Sequence, residues 1–252
     1  MTRKFKNRIS EIDVLKREID EYRPLSQHAL HELKEYYRIG LTYSSNAIEG
    51  NSLSEVETKI VLEEGITIGG KPLKEHLEAL GHSEAYEHIY KLAGTKQILE
   101  QDILRLHYLL YFRIDPDNAG KYRSKQVFIT GTKYIPPKPG DLAVKIDKLV
   151  NQISRIRQEN HPVEFAALLH KEFVGIHPFI DGNGRCARLL MNLALMQHDY
   201  VITIIPPVMR TEYIELVRDA QLNPDKCRPF INFISQMIYE SHKEYLRLLE
   251  SL

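Results

Sequence analysis

Residues 177–188 read HPFIDGNGRCAR, and this stretch differs in kind from the rest of the chain. Five polar side chains that could bind a ligand or take part in a reaction lie within twelve residues, and two glycines lie among them. An apolar pattern at helical spacing follows at once, in Leu189, Leu190, Leu193, Leu195 and Met196. This pattern predicts a helix that begins near Gly184, with the Gly-Asn-Gly loop at its N-terminus.

The loop and the start of this helix have the features of an anion site. Glycines let backbone N–H groups converge, and a helix N-terminus adds unsatisfied donors and partial positive charge. Such a site suits phosphate. Arg185 and Arg188 are three apart and share one helix face, so two guanidiniums are available for a polyphosphate tail.

Two further residues of the stretch add chemistry to the predicted phosphate site. Asp181 offers a hard oxygen ligand, and Mg²⁺ is often held by one or two carboxylates together with substrate phosphates. His177 is the one group in the stretch that can take up a proton near neutral pH.

Composition limits the class of protein. The 252 residues are 43% hydrophobic and 27% charged, which excludes disorder along the whole chain. Lys and Arg balance Asp and Glu at 34 each, so no net field points to nucleic acid or to an anionic membrane. Two cysteines, a polar N-terminus and the lack of a long apolar run lead us to expect a soluble cytoplasmic protein.

Helical spacing dominates the rest of the sequence. Two helices separated at Pro24 are expected in the first part, and others at about 54–64, 73–92, 100–112, 141–157, 162–175, 184–198, 210–221 and 229–250. The exception is 125–135, where β-branched and aromatic residues around Gly131 predict a β-hairpin. The expected fold is therefore mainly α, a helical bundle with one small hairpin.

The stretch 177–188 resembles the signature of the Fic (filamentation induced by cAMP) family. The segments 119–129, 161–167 and 210–230 also resemble that family, and the likeness covers about 35–245. It implies a Fic domain over 41–250, preceded by a helical extension over 1–40. Most members transfer AMP from ATP to a Ser, Thr or Tyr hydroxyl of a protein, so the implied partner is a target protein or the chain itself.

The resemblance also implies a role for each residue of the signature. His177 would be the general base, and Asp181 would hold Mg²⁺ between the α- and β-phosphates. The anion hole and the β/γ-phosphate ligands would be Gly182, Asn183, Gly184, Arg185 and Arg188. The predicted hairpin would be a flap that pairs with the target backbone as an added strand, through Val127, Phe128 and Ile129.

A second motif, Ser-Asn-Ala-Ile-Glu-Gly at 45–50, resembles the inhibitory helix of the family's second class, here at about 41–50. By that likeness Glu49 would pair with Arg188, in a bidentate contact, and remove a donor needed by the γ-phosphate. Ser45 would brace the helix, and Gly50 would end it. Low basal activity is expected. In some relatives the same glutamate serves removal of AMP, and that activity stays open.

Near the adenine the sequence departs from the family. Gln221 stands where relatives often carry Asn, and 222–226 is an insertion, so a UDP-, GDP- or CDP-linked donor stays an alternative to ATP. Tyr213 matches an aromatic residue near the nucleotide, and core packing is its other interpretation. A regulatory module that binds nucleotide without transfer is the alternative function.

Other features give weaker predictions. We interpret His107 and His170 as packed core histidines, and Cys186 as a packing residue. The last predicted helix carries mixed charges, so it lacks the basic bias of a DNA-recognition helix. Its apolar stripe suggests a homodimer.

Overall fold

The computed structural model describes residues 5–252, and in this range the chain folds into ten α-helices without a β-strand. The helices are α1 (Ile9–Glu21), α2 (Gln27–Ile48), α3 (Glu55–Glu64), α4 (Leu73–Ala93), α5 (Glu100–Tyr111), α6 (Leu142–Glu159), α7 (Pro162–Ile176), α8 (Asn183–Met196), α9 (Arg210–Leu222) and α10 (Arg228–Leu249). The prediction of a mainly α fold is confirmed.

Helix α8 lies at the centre of the core. Almost every residue from Asn183 to Leu195 is buried, because α7, α4, α5 and α2 all pack against this helix. A helix that is apolar all round is stable only when it is covered in this way. Two arginines, Arg185 and Arg188, are nonetheless buried on it, so the neighbouring helices must supply partners for their charges.

The N-terminal helices pack closely on the rest. Helix α1 contacts α10, and α2 runs without a break through the predicted domain boundary at residue 40. Of the predicted extension, residues 1–4 lie outside the described range, and the division at 40 stays a prediction. The apolar stripe of α10 is covered by α1 and α7. It is therefore not a free surface for the homodimer that was predicted from this stripe.

The prediction of a β-hairpin at 125–135 is wrong, because the two predicted strands do not pair. Residues 125–135 turn at Gly131, but they form no ladder. Side chains bond to the backbone instead: Gln126 Nε2 donates to the Pro136 carbonyl at 3.0 Å, and Tyr134 N donates to Thr132 Oγ1 at 3.1 Å. Pro136 and the proline after it have no N–H to donate to a partner strand. We keep the name flap for residues 125–135.

Within the described range, none of the helices has the length and apolar character needed to cross a membrane. Both cysteines are free thiols. Cys186 is buried in the core on α8, and burial raises the pKa of its thiol, which agrees with a packing role.

Four buried histidines make stability depend on pH. Burial lowers the pKa of His82 and His170 to about 3, and of His107 and His242 to about 4, from an ordinary 6.5. The folded state keeps them neutral while the unfolded chain binds protons below 6.5. The free energy of unfolding is thus unaffected above that pH, and falls between 6.5 and 4 by at most about 1.4 kcal/mol per pH unit for each histidine.

Denaturant unfolding between pH 7.5 and 5 measures this slope. His242→Gln should reduce the slope by about one proton. Equal stability at pH 7 and pH 5 would contradict the assignment of these histidines as neutral groups.

Candidate active site

The loop between α7 and α8 holds the residues of the sequence signature in a closed turn. His177 ends α7 in a left-handed conformation, with φ 50° and ψ 58°. The Asn183 side chain accepts from Phe179 N and donates to Phe179 O, both at 2.9 Å. Gly182 is also left-handed, and its N–H donates to Asp181 Oδ1 at 2.6 Å. The Asn183 amide therefore shapes the loop rather than pointing out of it as a donor.

The start of α8 offers backbone donors. The Cys186 N–H makes the first backbone hydrogen bond of this helix, to the Gly182 carbonyl at 3.0 Å. No side chain of the described residues caps the N–H groups before it. Those amides carry the partial positive charge of the helix N-terminus, which favours an anion.

His177 faces the same region. It is half-buried, and burial lowers the pKa of its imidazole to about 4, with the nearby Arg123 contributing and with Glu49 and Asp181 opposing. The ring is therefore neutral at pH 7 and able to accept a proton.

Arg188 is enclosed by partners from two helices. Its Nη2 donates to Glu49 Oε1 at 2.7 Å and to the Ser45 carbonyl at 2.8 Å, and its Nε donates to Ser45 Oγ at 2.9 Å. Its Nη1 donates to the Tyr213 hydroxyl at 3.3 Å, and that hydroxyl lies 2.8 Å from His170 Nε2. The predicted contact between Glu49 and Arg188 is present, but it is a single hydrogen bond rather than a bidentate one, because Nη2 is shared between Glu49 and the Ser45 carbonyl. Nε and Nη1 bond the hydroxyls of Ser45 and Tyr213 instead.

Two glycines let Glu49 take this position. Gly50, with φ 103°, follows Glu49 directly at the end of α2, a conformation that other residues rarely adopt. Gly184 lies against the carboxylate, and a Cβ there would collide with Glu49 Oε1. A side chain at position 184 would thus exclude Glu49 from the start of α8.

Arg185 has a different environment from the one that the resemblance implied. Its side chain is only 2% exposed, and its Nη1 lies 3.2 Å from Glu78 Oε1 and 3.4 Å from Asn46 Oδ1. Its Nη2 lies 3.5 Å from Asp181 Oδ2. In this structure its charge is compensated by Glu78 on α4, and Asp181 is its contact at the loop.

Asp181 has the access that a metal ligand needs. Its side chain is 48% exposed, and His107 Nε2 lies 3.1 Å from its backbone carbonyl. His107 is otherwise a core residue: it stacks on Phe179 and accepts from Gly120 N. The described residues contain no group of three His, Cys, Asp or Glu that could hold a metal by itself. One exposed carboxylate beside a phosphate site nevertheless fits Mg²⁺, which takes most of its other ligands from phosphates and water.

Glu49 and most of the signature residues line one open cavity of about 520 Å³. The predicted site residues that line it are Glu49, Ile129, His177, Asp181, Gly182, Asn183, Gly184, Arg188, Tyr213 and Gln221. The amide of Gln221 donates to the Val174 carbonyl at 3.2 Å. Phe128 of the flap is 78% exposed and is absent from the cavity wall. The predicted site residues Val127, Ser45, Gly50 and Arg185 are absent from it too.

Sequence reasoning missed several residues at this site. Arg210 Nε donates to the Ile48 carbonyl at 2.6 Å, at the end of α2, and Arg218 Nη2 donates to the Thr130 carbonyl of the flap at 3.1 Å. Glu78 was missed as well. Charged residues on amphipathic helices carry no local signal for such distant partners, so only the fold reveals them.

Comparison with known proteins gives consistent matches. The family model described as Fic/DOC family matches residues 97–195. "Protein adenylyltransferase Fic" of Drosophila willistoni is 39% identical over 206 residues, which is 81% of this chain and 41% of the relative. The chain thus spans about two fifths of the length of such curated relatives.

Solved structures agree with these matches. A Fic domain containing signaling protein from Bacteroides thetaiotaomicron has a TM-score of 0.87 at 26% identity, covering 95% of this chain and 98% of that one. Fic-1 from C. elegans has a TM-score of 0.86 at 30% identity, covering 96% of this chain and 72% of that one. On this sequence identity and structural agreement, the chain belongs to the Fic/DOC family.

Proposed function

We propose that the chain transfers AMP from ATP to a hydroxyl group of a target protein, and that Glu49 keeps this activity low. One observation carries the proposal. The uncapped start of α8, the neutral His177, the exposed Asp181 and Arg188 all face a single cavity. The names of the relatives, protein adenylyltransferase Fic, support the same activity.

The reaction assigns one task to each group. The target is a Ser, Thr or Tyr side chain of another protein or of the chain itself. His177 takes the proton from the target hydroxyl, whose oxygen forms a bond to the α-phosphorus of ATP. The bond from that phosphorus to the bridging oxygen breaks, and pyrophosphate leaves. The amides at the start of α8 stabilise negative charge on the phosphates, and positioning of this kind is the main source of catalysis in such transfers.

Asp181 would hold Mg²⁺ against the phosphates of the nucleotide. A bound Mg²⁺ would supply charge neutralisation at the phosphate oxygens. The contact of Arg185 with Asp181 keeps the carboxylate at the loop, so we assign Arg185 to the support of this site, besides the phosphate role that the resemblance implied.

Autoinhibition follows from the partners of Arg188. Its side chain is 2% exposed, and Glu49, Ser45 and Tyr213 already take four of its five N–H donors. A γ-phosphate that needs Arg188 must displace the Glu49 carboxylate, and like charges make the two exclusive. Nucleotide bound beside Glu49 would therefore hold its α-phosphorus away from the line of attack.

The flap supplies the surface for target docking in this proposal. Val127, Phe128 and Ile129 have no partner strand among the described residues, and Phe128 is largely exposed while Ile129 lines the cavity. A segment without a partner strand can pair with the backbone of a target, which would place the target hydroxyl near His177.

The test uses the Glu49→Gly variant with ATP labelled on either the α- or the γ-phosphate, Mg²⁺ and a cell lysate. Transfer of AMP puts only the α-label on protein. A module that merely binds nucleotide adds neither label beyond that of the lysate alone, and phosphoryl transfer by the chain adds γ-label beyond it; either result would overturn the proposal. The same assay with α-labelled UTP, GTP and CTP shows which nucleotide the chain uses as its donor. Loss of α-label after excess ATP is removed would reveal AMP removal by the chain.

A further inference from the structure

Arg123 is a buried cation whose partners are all backbone carbonyls. It is 3% exposed. Its Nε donates to the His177 carbonyl at 2.9 Å, its Nη1 to the Lys125 carbonyl at 3.0 Å and its Nη2 to the Pro137 carbonyl at 2.6 Å. Its own backbone N–H donates to the Pro178 carbonyl at 3.0 Å. None of the described carboxylates forms an ion pair with it, so its charge is met by peptide dipoles alone.

These carbonyls belong to two functional segments. Lys125 begins the flap, and Pro137 lies two residues beyond its other end. His177 and Pro178 begin the signature loop. One planar side chain therefore joins both ends of the flap to the residue assigned as general base. A guanidinium fork can bond three carbonyls at fixed angles, whereas an ammonium is a point charge that cannot span them.

The bond from Arg123 supports an uncommon backbone conformation at His177. Its φ of 50° is uncommon for a residue other than glycine, and such a conformation persists where the surroundings hold it. Helix α7 holds the N–H of His177 through the Phe173 carbonyl, at 3.1 Å, and Arg123 holds its C=O. Without Arg123 the His177 carbonyl loses its side-chain donor, and the orientation of the imidazole is no longer restrained through that carbonyl.

We propose that Arg123 is a positioning residue that fixes the general base and both ends of the flap in one geometry, so that docking of a target strand on the flap and orientation of His177 are coupled. This proposal rests on the proposed function. It differs from a plain stabilising role because it concerns two named segments and the transfer step, and leaves the binding of ATP unaffected. Arg123 makes no contact with the start of α8 that binds phosphate in that proposal.

The experiment compares Arg123→Lys with Arg157→Lys, both in the Glu49→Gly background. Arg157 is a matched control, because it also donates to a backbone carbonyl, that of Lys96, and its other bond goes to Gln197. Hydrogen exchange should rise together at the bonded amides of Tyr134 in the flap and of His177 and Phe179 in the signature loop for Arg123→Lys, and at none of them for the control. Labelling of lysate protein at saturating ATP should fall at least about tenfold, with the ATP Kd from calorimetry changed by less than about twofold.

Several outcomes would overturn the proposal. One is faster exchange in the flap with an unchanged signature loop, or the reverse. Another is an equal loss of labelling and of ATP affinity, and a third is unchanged labelling. Arg123→Gln, which keeps two donors without the charge, provides a second variant with the same expected pattern if the lysine variant unfolds. Absence of ATP binding in Glu49→Gly would contradict the proposed function. The exchange data would still show whether Arg123 holds the flap and the signature loop together.

Discussion

We expect the replacement of Glu49 with glycine to increase labelling of protein from α-labelled ATP by about 10- to 150-fold. The change removes the carboxylate that bonds Arg188 at 2.7 Å, and a hydrogen bond to a charged group contributes about 1.5–3 kcal/mol. The backbone should tolerate the change, because Glu49 at the C-cap of α2 has φ −85° and ψ −3°, a conformation that glycine adopts without strain. Ser45 and Tyr213 stay in place, so Arg188 keeps its orientation for a γ-phosphate.

Two further variants show whether the gain comes from the carboxylate. Glu49→Gln keeps a side chain of the same size without the charge, and we expect labelling between those of the parent and of Glu49→Gly. Glu250 is likewise an exposed glutamate at a helix C-cap, that of α10, so Glu250→Gly should leave labelling unchanged. An equal gain from Glu250→Gly would show that loosening of a helix end, and not release of Arg188, is responsible.

We expect the replacement of His177 with asparagine in the Glu49→Gly background to lower labelling at least about 100-fold, because the general base is removed. Asparagine is the better replacement here, since it tolerates the left-handed backbone that His177 adopts, whereas alanine adds strain. His177→Ala should lower labelling to the same degree if the ring matters. The rate is measured at saturating ATP from the first turnovers.

The ATP Kd provides the control for this prediction. It should change by less than about twofold in His177→Asn, because the amides of α8 and Arg188, not His177, bind the phosphates in this proposal. The labelling rate of Glu49→Gly should also be independent of pH from about pH 6 to 8. Burial lowers the pKa of His177 to about 4, so the imidazole is already neutral in that range. Equal labelling with and without the imidazole would remove His177 from the mechanism.

The sequence predicted those features that depend on short-range patterns. The start of α8 followed from glycines before an apolar helical repeat, and it lies at Asn183, one residue from the predicted Gly184. The contact of Glu49 with Arg188 followed from the resemblance of 45–50 to a known motif. Its single-bond geometry did not, because the competing acceptors on Ser45 and Tyr213 come from the packing of α2 and α9.

The features that the sequence did not predict depend on long-range packing. Glu78 compensates Arg185 from more than a hundred residues away, and Arg123 bonds carbonyls on both sides of the flap. Neither has a local pattern that separates it from other charged residues. The hairpin prediction was wrong because β-propensity around Gly131 says nothing about the side chains of Gln126 and Arg123, which bond the backbone that strand pairing needed.

The most direct measurement is a pair of crystal structures, of the parent chain and of Glu49→Gly, each with ATP and Mg²⁺. We predict that the γ-phosphate lies within hydrogen-bond distance of Arg188 in the glycine variant alone, and that in the parent Glu49 keeps that guanidinium. A γ-phosphate on Arg188 in both structures, or no nucleotide at the start of α8 in either, would contradict the account.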